Sequence, residues 1–296
     1  MKIKFVSIIL LVFLICTSVF VNDSAAQNSA KKVIKSETIW QYDISTGGNQ
    51  ENGVKLSVRE MDGKGNSLSL TNFNPDGTVI QNSTFRYNDA GNILESTTNS
   101  SVENANMRLV YEYDAKSFLI ESRGYKPDQS LLVRMTYKYD ENGNLIEMTT
   151  YSPNGKINLR VVHSYDEEGK ILQATGFDAE NNERSKTVYT YLPDGHEIEK
   201  YGMGGKLMQK TRIVFGIKGN IDEEIAYNAD GRIISRTSRI YDDNGNVVES
   251  RNTMPLADIS NRTIYKYNEN GNLVEQTTFN KTNEAVKVLK LIYEYF

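Results

Sequence analysis

The sequence predicts an all-β protein made of tandem antiparallel β-hairpins, and three observations support this prediction. Aromatic residues recur at a spacing of 26 residues through most of the chain. Each spacing contains two turn motifs that end in Gly or Asn. The segments between the turns are rich in β-branched and aromatic residues, as strands are. We therefore expect a long meander, a rolled sheet or a solenoid-like array, in which each unit contacts mainly its neighbours.

The repeat is defined by one residue per unit, which we call the anchor. Around the anchor Tyr139 the chain reads YKYDENGNLIE. The anchors are Met61, Tyr87, Tyr113, Tyr139, Tyr165, Tyr191, Phe215, Tyr241, Tyr267 and Tyr295, at intervals of 26 five times, then 24, 26, 26 and 28. All intervals are even. Because side chains alternate faces along a strand, an even change keeps the anchors on one face, whereas a helical repeat would not need this parity.

Each unit contains two turns. The first follows the anchor, as in Asp140-Glu141-Asn142-Gly143, where Asp suits the start of a type I turn. Gly143 suits the left-handed residue that closes a three-residue hairpin with a bulge. The equivalent glycines are Gly65, Gly91, Gly169, Gly195, Gly219, Gly245 and Gly271, and Ser117 breaks the series. In two of the second turns Asn181 and Asn283 replace Gly, and Asn tolerates the left-handed conformation well.

The chain divides into three predicted regions. Residues 1–26 have the features of a secretory signal peptide, with Lys2 and Lys4 before an apolar run and small residues before Gln27. The alternative is a retained anchor, since the run is near the lower limit for a spanning helix. Residues 27–58 are expected to form a degenerate capping unit, and residues 59–296 the repeat array. The last residues, 293–296, are expected to form its closing strand.

Composition restricts the function. The one cysteine, Cys16, lies in the predicted signal peptide, so an exported chain would have neither disulfides nor thiolate metal ligands. The net charge is −4, and it becomes −5 when Lys2, Lys4 and Asp23 are removed. This mild acidity predicts no binding to nucleic acid or anionic lipid. The predicted location is secreted, periplasmic or at the cell surface, without a membrane span after cleavage.

The repeated phrase resembles a known family. Tyr-x-Tyr-Asp-x-x-Gly-Asn-Leu-x-Glu is similar to the YD repeats, also called RHS repeats, of bacterial secreted and surface proteins, and the Tyr-Asp pair occurs at Tyr113, Tyr139, Tyr165 and Tyr241. A weaker similarity links the chain to MORN-like repeats of antitoxin-type proteins. Both resemblances imply a β-rich binding or encasing scaffold without a defined catalytic residue. The unit here is longer than the usual YD repeat, which argues against a closed shell.

Two columns of residues are candidates for a binding surface. A carboxylate follows most anchors by eight residues, at Glu95, Glu121, Glu147, Glu199, Glu223, Glu249 and Glu275, with Gln173 in the remaining regular unit. These residues could form an acidic strip for a cationic or sugar-rich partner or for divalent ions. Alternatively, each could pair with the first Tyr of the motif or with neighbouring Lys and Arg. The second column is an aromatic series that includes Tyr125, Tyr151, Phe177, Tyr201 and Tyr227.

The aromatic columns are assigned different roles. We expect the anchors to hold the sheet together by packing across strands. The second series is less regular, since Asn99 and Thr253 interrupt it, and it is the better candidate for contact with a partner.

Catalysis and cofactor binding have little support. The two histidines, His163 and His196, occupy different positions in successive units, and no nucleophile elbow, phosphate loop or dinucleotide loop is present. Turns such as Asp140–Asn144 resemble the start of a calcium loop but offer too few oxygens. The sequence therefore predicts no catalytic, metal or cofactor site.

The predicted function is an exported, non-enzymatic repeat scaffold that binds an unidentified protein or glycan at or outside the cell envelope. One alternative is an immunity or antitoxin-like protein that masks another protein. A second alternative is a carbohydrate-acting hydrolase, which would need only two carboxyl groups at a suitable separation.

Overall fold

A computed structural model describes residues 32–44, 53–102 and 105–296. The predicted signal peptide, residues 1–26, lies outside the described residues. The described residues form one 20-stranded sheet and two short 3₁₀ turns, Met203–Gly205 and Pro255–Ala257. In these three ranges no helix is long and apolar enough to cross a membrane.

The strands follow the chain in order. The first ten are β1 (Ile34–Asp43), β2 (Val54–Met61), β3 (Ser67–Phe73), β4 (Val79–Tyr87), β5 (Ile93–Ser100), β6 (Met107–Tyr113), β7 (Leu119–Tyr125), β8 (Leu131–Tyr139), β9 (Leu145–Tyr151) and β10 (Ile157–Tyr165). The others are β11 (Ile171–Phe177), β12 (Glu183–Leu192), β13 (Gly195–Tyr201), β14 (Leu207–Phe215), β15 (Ile221–Asn228), β16 (Ile233–Tyr241), β17 (Val247–Met254), β18 (Ile259–Tyr267), β19 (Leu273–Phe279) and β20 (Ala285–Tyr295).

The sheet is an antiparallel meander that closes on itself. Each strand pairs with the next one along the chain, and β20 also pairs with β1, from Lys287 opposite Asp43 to Tyr295 opposite Ile34. The prediction of antiparallel hairpins in a rolled sheet is confirmed, and the solenoid-like array is wrong. The expectation against a closed shell is also wrong. Pairing β20 with β1 removes both open edges, which would otherwise present unpaired backbone groups.

The N-terminal region and the last strand complete each other. The residues expected to form a capping unit contribute β1 and most of β2, and β1 lies between β2 and β20. The predicted closing strand is confirmed, since β20 pairs with β1 and the amide of Phe296 donates to the carbonyl oxygen of Val33 at 3.1 Å.

In the units whose anchor is Tyr, one hydrogen bond links the unit to the unit before it. The hydroxyl of Tyr139 donates to the backbone oxygen of Leu119, twenty residues earlier, at 3.0 Å. Leu119 lies opposite the preceding anchor, Tyr113. The same bond is made by Tyr87, Tyr113, Tyr165, Tyr191, Tyr241 and Tyr267. The anchors therefore connect the bases of successive first turns along the sheet.

The last unit requires a correction. Tyr293, rather than Tyr295, donates the anchor hydrogen bond there, to the oxygen of Leu273 at 2.8 Å. The hydroxyl of Tyr295 instead accepts from the side chain of Asn272 at 3.0 Å. The final interval is therefore 26 residues, from Tyr267 to Tyr293, and not the 28 residues predicted from Tyr267 to Tyr295.

The turn chemistry is confirmed. Gly143 has a φ of +88°, its amide donates to the oxygen of Asp140 at 3.1 Å, and the Asp140 carboxylate accepts from the backbone and side chain of Asn144 at 2.8 Å. Asn181 and Asn283 take the same left-handed conformation, with φ of +64° and +61°. Ser117, which breaks the glycine series, adopts it as well, with φ of +67°.

The unit between the anchors Tyr191 and Phe215, which is two residues shorter than the others, also differs from expectation. Its first turn is a tight one at Pro193 and Asp194, in which Leu192 lies opposite Gly195. Gly195 is thus a strand residue with φ of +151°, and it is not a counterpart of the turn glycines. An added Cβ there would lie 1.9 Å from the oxygen of Ile213, so close backbone approach requires Gly. The two missing residues are one turn residue and one bulge residue, because β12 and β13 pair without a register shift.

The closed sheet has no conventional hydrophobic core. In the described ranges the only apolar residues less than a tenth exposed are Ile225, Ala226 and Val288. Buried polar residues outnumber them and include Ser122, Thr149 and Thr150. A closed sheet of this strand number is too wide for its side chains to fill the interior. Backbone pairing and cross-strand contacts must therefore supply most of the stability.

We expect Tyr165→Phe to lower the free energy of unfolding by about 1 kcal/mol, since it removes the 2.7 Å hydrogen bond to Leu145 and leaves that oxygen without its phenol donor. Urea denaturation would measure the change. Tyr151→Phe is the matched control, because Phe already occupies the same position at Phe73, Phe177 and Phe279. Equal effects of the two substitutions would show that the anchor bond adds no stability.

Candidate binding surface: a row of glutamate, arginine and aromatic side chains

The sheet brings three side chains together in a repeated group that we call the triad. In one unit Glu147 of β9 accepts from Arg160 of β10, with Oε2 and Nη1 3.2 Å apart. The guanidinium carbon of Arg160 lies 4.8 Å from the centre of the Phe177 ring on β11. The triad thus combines an ion pair with a cation–π contact on three adjacent strands.

The register produces this arrangement. Arg160 lies directly opposite Phe177 in the β10–β11 pair, and it lies diagonally from Glu147, whose direct partner is Val162. Both directly opposite and diagonal residues lie within reach of long side chains on one face of an antiparallel pair. One unit advances two strands, so the same contacts recur about 9.6 Å further along the sheet, given a strand spacing of about 4.8 Å.

Other units repeat the triad. Arg108 contacts Glu95 and Tyr125, Arg134 contacts Glu121 and Tyr151, and Arg262 contacts Glu249 and Phe279. Lys186 lies over Tyr201 where Gln173 replaces the carboxylate, and Arg236 pairs with Glu223 where Thr253 replaces the aromatic residue. Since Glu147 and Tyr151 lie on the same strand, successive triads join into one continuous row.

The glutamates of the row are paired with cations. Glu147 accepts from Lys138 at 2.7 Å as well as from Arg160. Glu249 is 2.8 Å from both Arg251 and Arg262, and hydrogen bonds from these two guanidinium groups lower its pKa to about 2. The column is therefore not an uncompensated acidic strip, and pairing with neighbouring Lys and Arg is confirmed.

Pairing with the first Tyr of the motif is wrong. The hydroxyl of Tyr137 lies 3.2 Å from Oγ of Ser122, the residue that follows Glu121. Glu147 lies opposite Lys138, whereas Tyr137 lies opposite Met148 on the alternate face of the sheet.

Glu199 does not belong to the column. Because the first turn of its unit is shorter, the position opposite the residue before the anchor is taken by Glu197, which faces Thr190. Glu197 forms the ion pair with Lys210 at 2.8 Å. Glu199 instead accepts from the hydroxyl of Tyr201 at 2.7 Å. Counting residues from the anchor fails here because one turn residue and one bulge residue are missing after Tyr191, so the equivalent carboxylate follows this anchor by six residues and not by eight.

The second aromatic series is partly covered. Tyr125, Tyr151 and Phe177 each have a guanidinium group over one ring face at 4.8 Å, and Lys186 lies 5.5 Å from the ring centre of Tyr201. Tyr227 lies opposite Lys210 in the equivalent pair. The cations occupy ring faces on which a sugar could stack, so these aromatics act first as supports for the arginines.

Some second turns add a further contact to the row. Oxygens of the Gln129 and Asn181 side chains accept from Arg108 at 3.0 Å and from Arg160 at 2.5 Å. Asn283 lies 3.5 Å from Arg262 in the equivalent position. All three turn residues have a positive φ. In these three units the side chain that replaces the turn glycine thus binds the arginine of the triad.

The histidines do not form a site. His163 lies on β10 and His196 on β13, with β11 and β12 between them. Burial lowers the pKa of both imidazoles, and Arg212 lowers that of His196 further. His163 lines a shallow cavity of about 310 Å³ together with Arg160, Val162, Ser164, Gln173, Thr175 and Phe177, and none of these residues is a carboxylate.

The cation column is the part of the candidate site that sequence reasoning missed. It consists of Arg108, Arg134, Arg160, Lys186, Lys210, Arg236 and Arg262, each five residues before an anchor. Its spacing equals that of the anchors, so the same search for periodicity would have found it. The contacts that give it meaning depend on register across three strands.

Comparisons with known proteins agree with this architecture. The teneurin YD-shell family model matches residues 40–184, and the MORN repeat variant model matches residues 263–281. The resemblance to YD repeats and the similarity to MORN repeats are thereby confirmed. No curated protein matches the sequence.

Solved structures resemble parts of the chain at low identity. The Photorhabdus luminescens Tc holotoxin pore is 13% identical over 79% of this chain, with a TM-score of 0.40. The TcdB2–TccC3–TEV structure is 12% identical over 85% of this chain, also with a TM-score of 0.40. This chain spans 14% of the length of each toxin chain. A porin-like protein from Bacteroides uniformis is 9% identical, with 88% of this chain and 96% of that chain covered and a TM-score of 0.39.

The fold and the repeated contacts define a class of protein, the closed antiparallel β-repeat proteins without a packed core. Within this class the chain is similar to YD-repeat proteins, in its tyrosine and turn positions and in the family models that match parts of it.

We expect Glu249→Gln to lower the free energy of unfolding at pH 7 by roughly 1 kcal/mol, since it removes the charge shared by two arginines. The pKa of Glu249 is about 2 in the folded state, below its ordinary value of 4.5. The ion pairs therefore stabilise the fold above pH 4.5, and this stability is lost as the pH falls towards 2.

Denaturation between pH 7 and pH 2 would measure the difference between the variant and the wild type. The difference in unfolding free energy between Glu249→Gln and the wild type should shrink below pH 4.5. The control is Glu269→Gln, at an exposed turn position, which should change the stability little at any pH. A difference that stays constant down to pH 2 would contradict the ion-pair explanation.

We expect Gly155→Ala to lower the free energy of unfolding by about 1 kcal/mol, because φ at this residue is +80°. No atom lies within 4 Å of an added Cβ, so only the backbone conformation opposes the substitution. Gly155→Asn should cost less, since Asn tolerates this conformation and would offer Arg134 the acceptor that Asn181 gives Arg160. Thermal unfolding of the two variants would compare them. Equal losses would show that the turn-to-arginine contact adds nothing.

Proposed function

We propose that the mature chain, residues 27–296, is an exported, non-enzymatic repeat scaffold that binds a protein or glycan over an extended surface at or outside the cell envelope. The triad row is the observation that carries this proposal. It presents the same chemical group at regular spacing across the sheet, and such a surface suits an extended partner better than a small molecule.

The exposed side of the row supports a binding role. Lys138 and Lys266 contact Glu147 and Glu275 at 2.7 Å, yet about two thirds of each lysine side chain remains exposed. A partner can therefore reach these cations without breaking the ion pairs behind them. The ion pair with its glutamate restrains each lysine, which reduces the entropy lost on binding.

The chemistry of the row favours a protein over a glycan. Guanidinium groups cover one face of Tyr125, Tyr151 and Phe177. Sugar rings bind proteins largely by stacking on such faces, whereas protein interfaces use arginine, tyrosine and partly compensated charges. A glycan partner is therefore the second possibility within the same proposal.

We expect the immobilised mature chain to capture proteins from the organism's own envelope and culture medium, and to give no signal on a glycan array. The double variant Lys138→Gln, Lys266→Gln should capture the same partner several-fold less, because two exposed cations that pair with glutamates of the row are removed. Circular dichroism would verify that the variant is folded.

Three other results are informative. Binding to the glycan array without capture of a protein would show that the partner is a glycan. Release of reducing sugar from polysaccharides by the pure chain would favour the hydrolase. No binding in either arm, or capture that the double variant leaves unchanged, would contradict the role of the row.

A further inference from the structure

The first turns lie along one edge of the sheet, and their sequence departs from the repeat at one place. In regular units the anchor is followed by Asp or Asn, whose side chain accepts hydrogen bonds within the turn, as Asp140 and Asn268 do. In two successive units Leu192 and Gly216 occupy this position, and Phe215 replaces the anchor Tyr. The polar turn chemistry is thus absent from two adjacent turns.

These departures place apolar side chains in solvent. Leu192, Phe215 and Tyr191 are 38%, 37% and 40% exposed, and Ile217 is fully exposed at a turn tip. The residues equivalent to Ile217 in the other regular units are Gly63, Asp89, Ala115, Glu141, Glu167, Asp243 and Glu269, none of which is a large apolar residue. We call Tyr191, Leu192, Phe215 and Ile217 the rim patch.

Two residues of the rim patch, Tyr191 and Phe215, are held in place by neighbouring groups. The His196 ring lies between Tyr191 and Phe215, with ring centres 6.0 and 5.4 Å away. The amide of Phe215 donates to the oxygen of Asp194 at 2.9 Å, and the carboxylate of Asp194 pairs with Arg212 at 2.5 Å. Ile217 has no role in these contacts. A fixed, exposed apolar group of this kind is typical of an interaction site.

The turns on either side of the rim patch carry mainly negative charge. The strands β10 to β17 are consecutive in the sheet, so the turns at 166–170 and 242–246 flank the patch on the same edge. They contribute the carboxylates Asp166, Glu167, Glu168, Asp242 and Asp243, and the nearby cations are Lys170 and Lys218. Carboxylates outnumber cations, so the flanks attract positive charge.

The carboxylates of the flanking turns argue against two other partners for the rim patch, a second copy of the chain and an anionic lipid surface. A second copy of the rim patch would bring like-charged flanks together, which opposes association. An anionic lipid surface would be repelled in the same way. A segment with apolar side chains between basic residues satisfies both the centre and the flanks.

We propose that the rim patch is a docking site for a protein segment that presents one or more apolar side chains between lysine or arginine residues. The inference rests on the proposed scaffold function and names one place where a protein partner is held.

Selection of a phage-displayed random peptide library against the full mature chain tests the proposal. We expect enriched peptides to carry apolar residues between lysines or arginines. A synthetic copy of an enriched peptide should bind at least about tenfold more weakly to Ile217→Asp than to the wild type, by fluorescence anisotropy. Its affinity should also fall with salt and with the double variant Glu167→Lys, Asp243→Lys.

The matched control is Leu256→Asp. Leu256 is 62% exposed in the turn Pro255–Ala257, at the opposite edge of the sheet, and its substitution should leave peptide affinity unchanged. Since both substituted residues lie in exposed turns, neither change should unfold the chain, and circular dichroism would verify this.

Other outcomes would overturn the proposal. These are enrichment without basic residues, affinity that Ile217→Asp does not change, or no enrichment at all. Self-association that sedimentation detects and that Ile217→Asp abolishes would assign the patch to a second copy instead. Peptide binding that depends on Lys138 and Lys266 but not on Ile217 would retain the proposed scaffold function while this inference fails.

Discussion

The pairing of β1 with β20 is the interaction on which the rest of the structure depends. A meander of this length has two open edges, and each exposes a row of backbone donors and acceptors. In this chain the first and last strands satisfy each other from Ile34 to Asp43. With the sheet closed, neither end can fray without breaking a ladder of backbone hydrogen bonds. The sequence position of β1, before the first regular unit, thus supplies the partner that the last unit lacks.

Closure alone does not stabilise a sheet without a packed core. Side-chain contacts between units replace the core, and they are of two kinds. On one face the anchor hydroxyls bind backbone oxygens of the preceding unit, as Tyr165 binds Leu145 at 2.7 Å. On the other face the triads connect three strands at a time through an ion pair and a cation–π contact. Each contact is worth little, but the anchor bonds and the complete or partial triads recur along the sheet.

The regular units differ in their chemistry from the two units that contain Leu192 and Gly216. In the regular units the glutamates and arginines of the triads are paired with each other, which leaves the row as a charge-balanced surface. Two successive units lack the turn caps, at Leu192 and Gly216, and the second of them places Ile217 in solvent. Local departures from a consistent pattern tend to occur at functional sites, where folding requirements are relaxed in favour of binding. This contrast is the physical basis for placing a specific contact at the rim patch.

The strands, the turns and the class of repeat can be predicted from the amino-acid sequence, because they depend on local rules. Aromatic residues at even spacing and turn residues such as Asp140 and Gly143 act within a few positions of the chain. The sequence could not determine which residues face each other across strands. Glu199 was assigned to the wrong column because a missing bulge shifts its register, and Tyr295 was taken for the last anchor although Tyr293 makes the anchor bond.

Tertiary contacts close the sheet, bring arginines and lysines to the glutamates, and place the turn that carries Ile217 on one edge between acidic turns. Closure depends on the pairing of residues more than 240 positions apart, such as Tyr42 and Val288, and no local pattern encodes that distance. Likewise, the triads depend on three strands in one register. The sequence supplies the side chains at the right period, and the closed sheet brings them into contact.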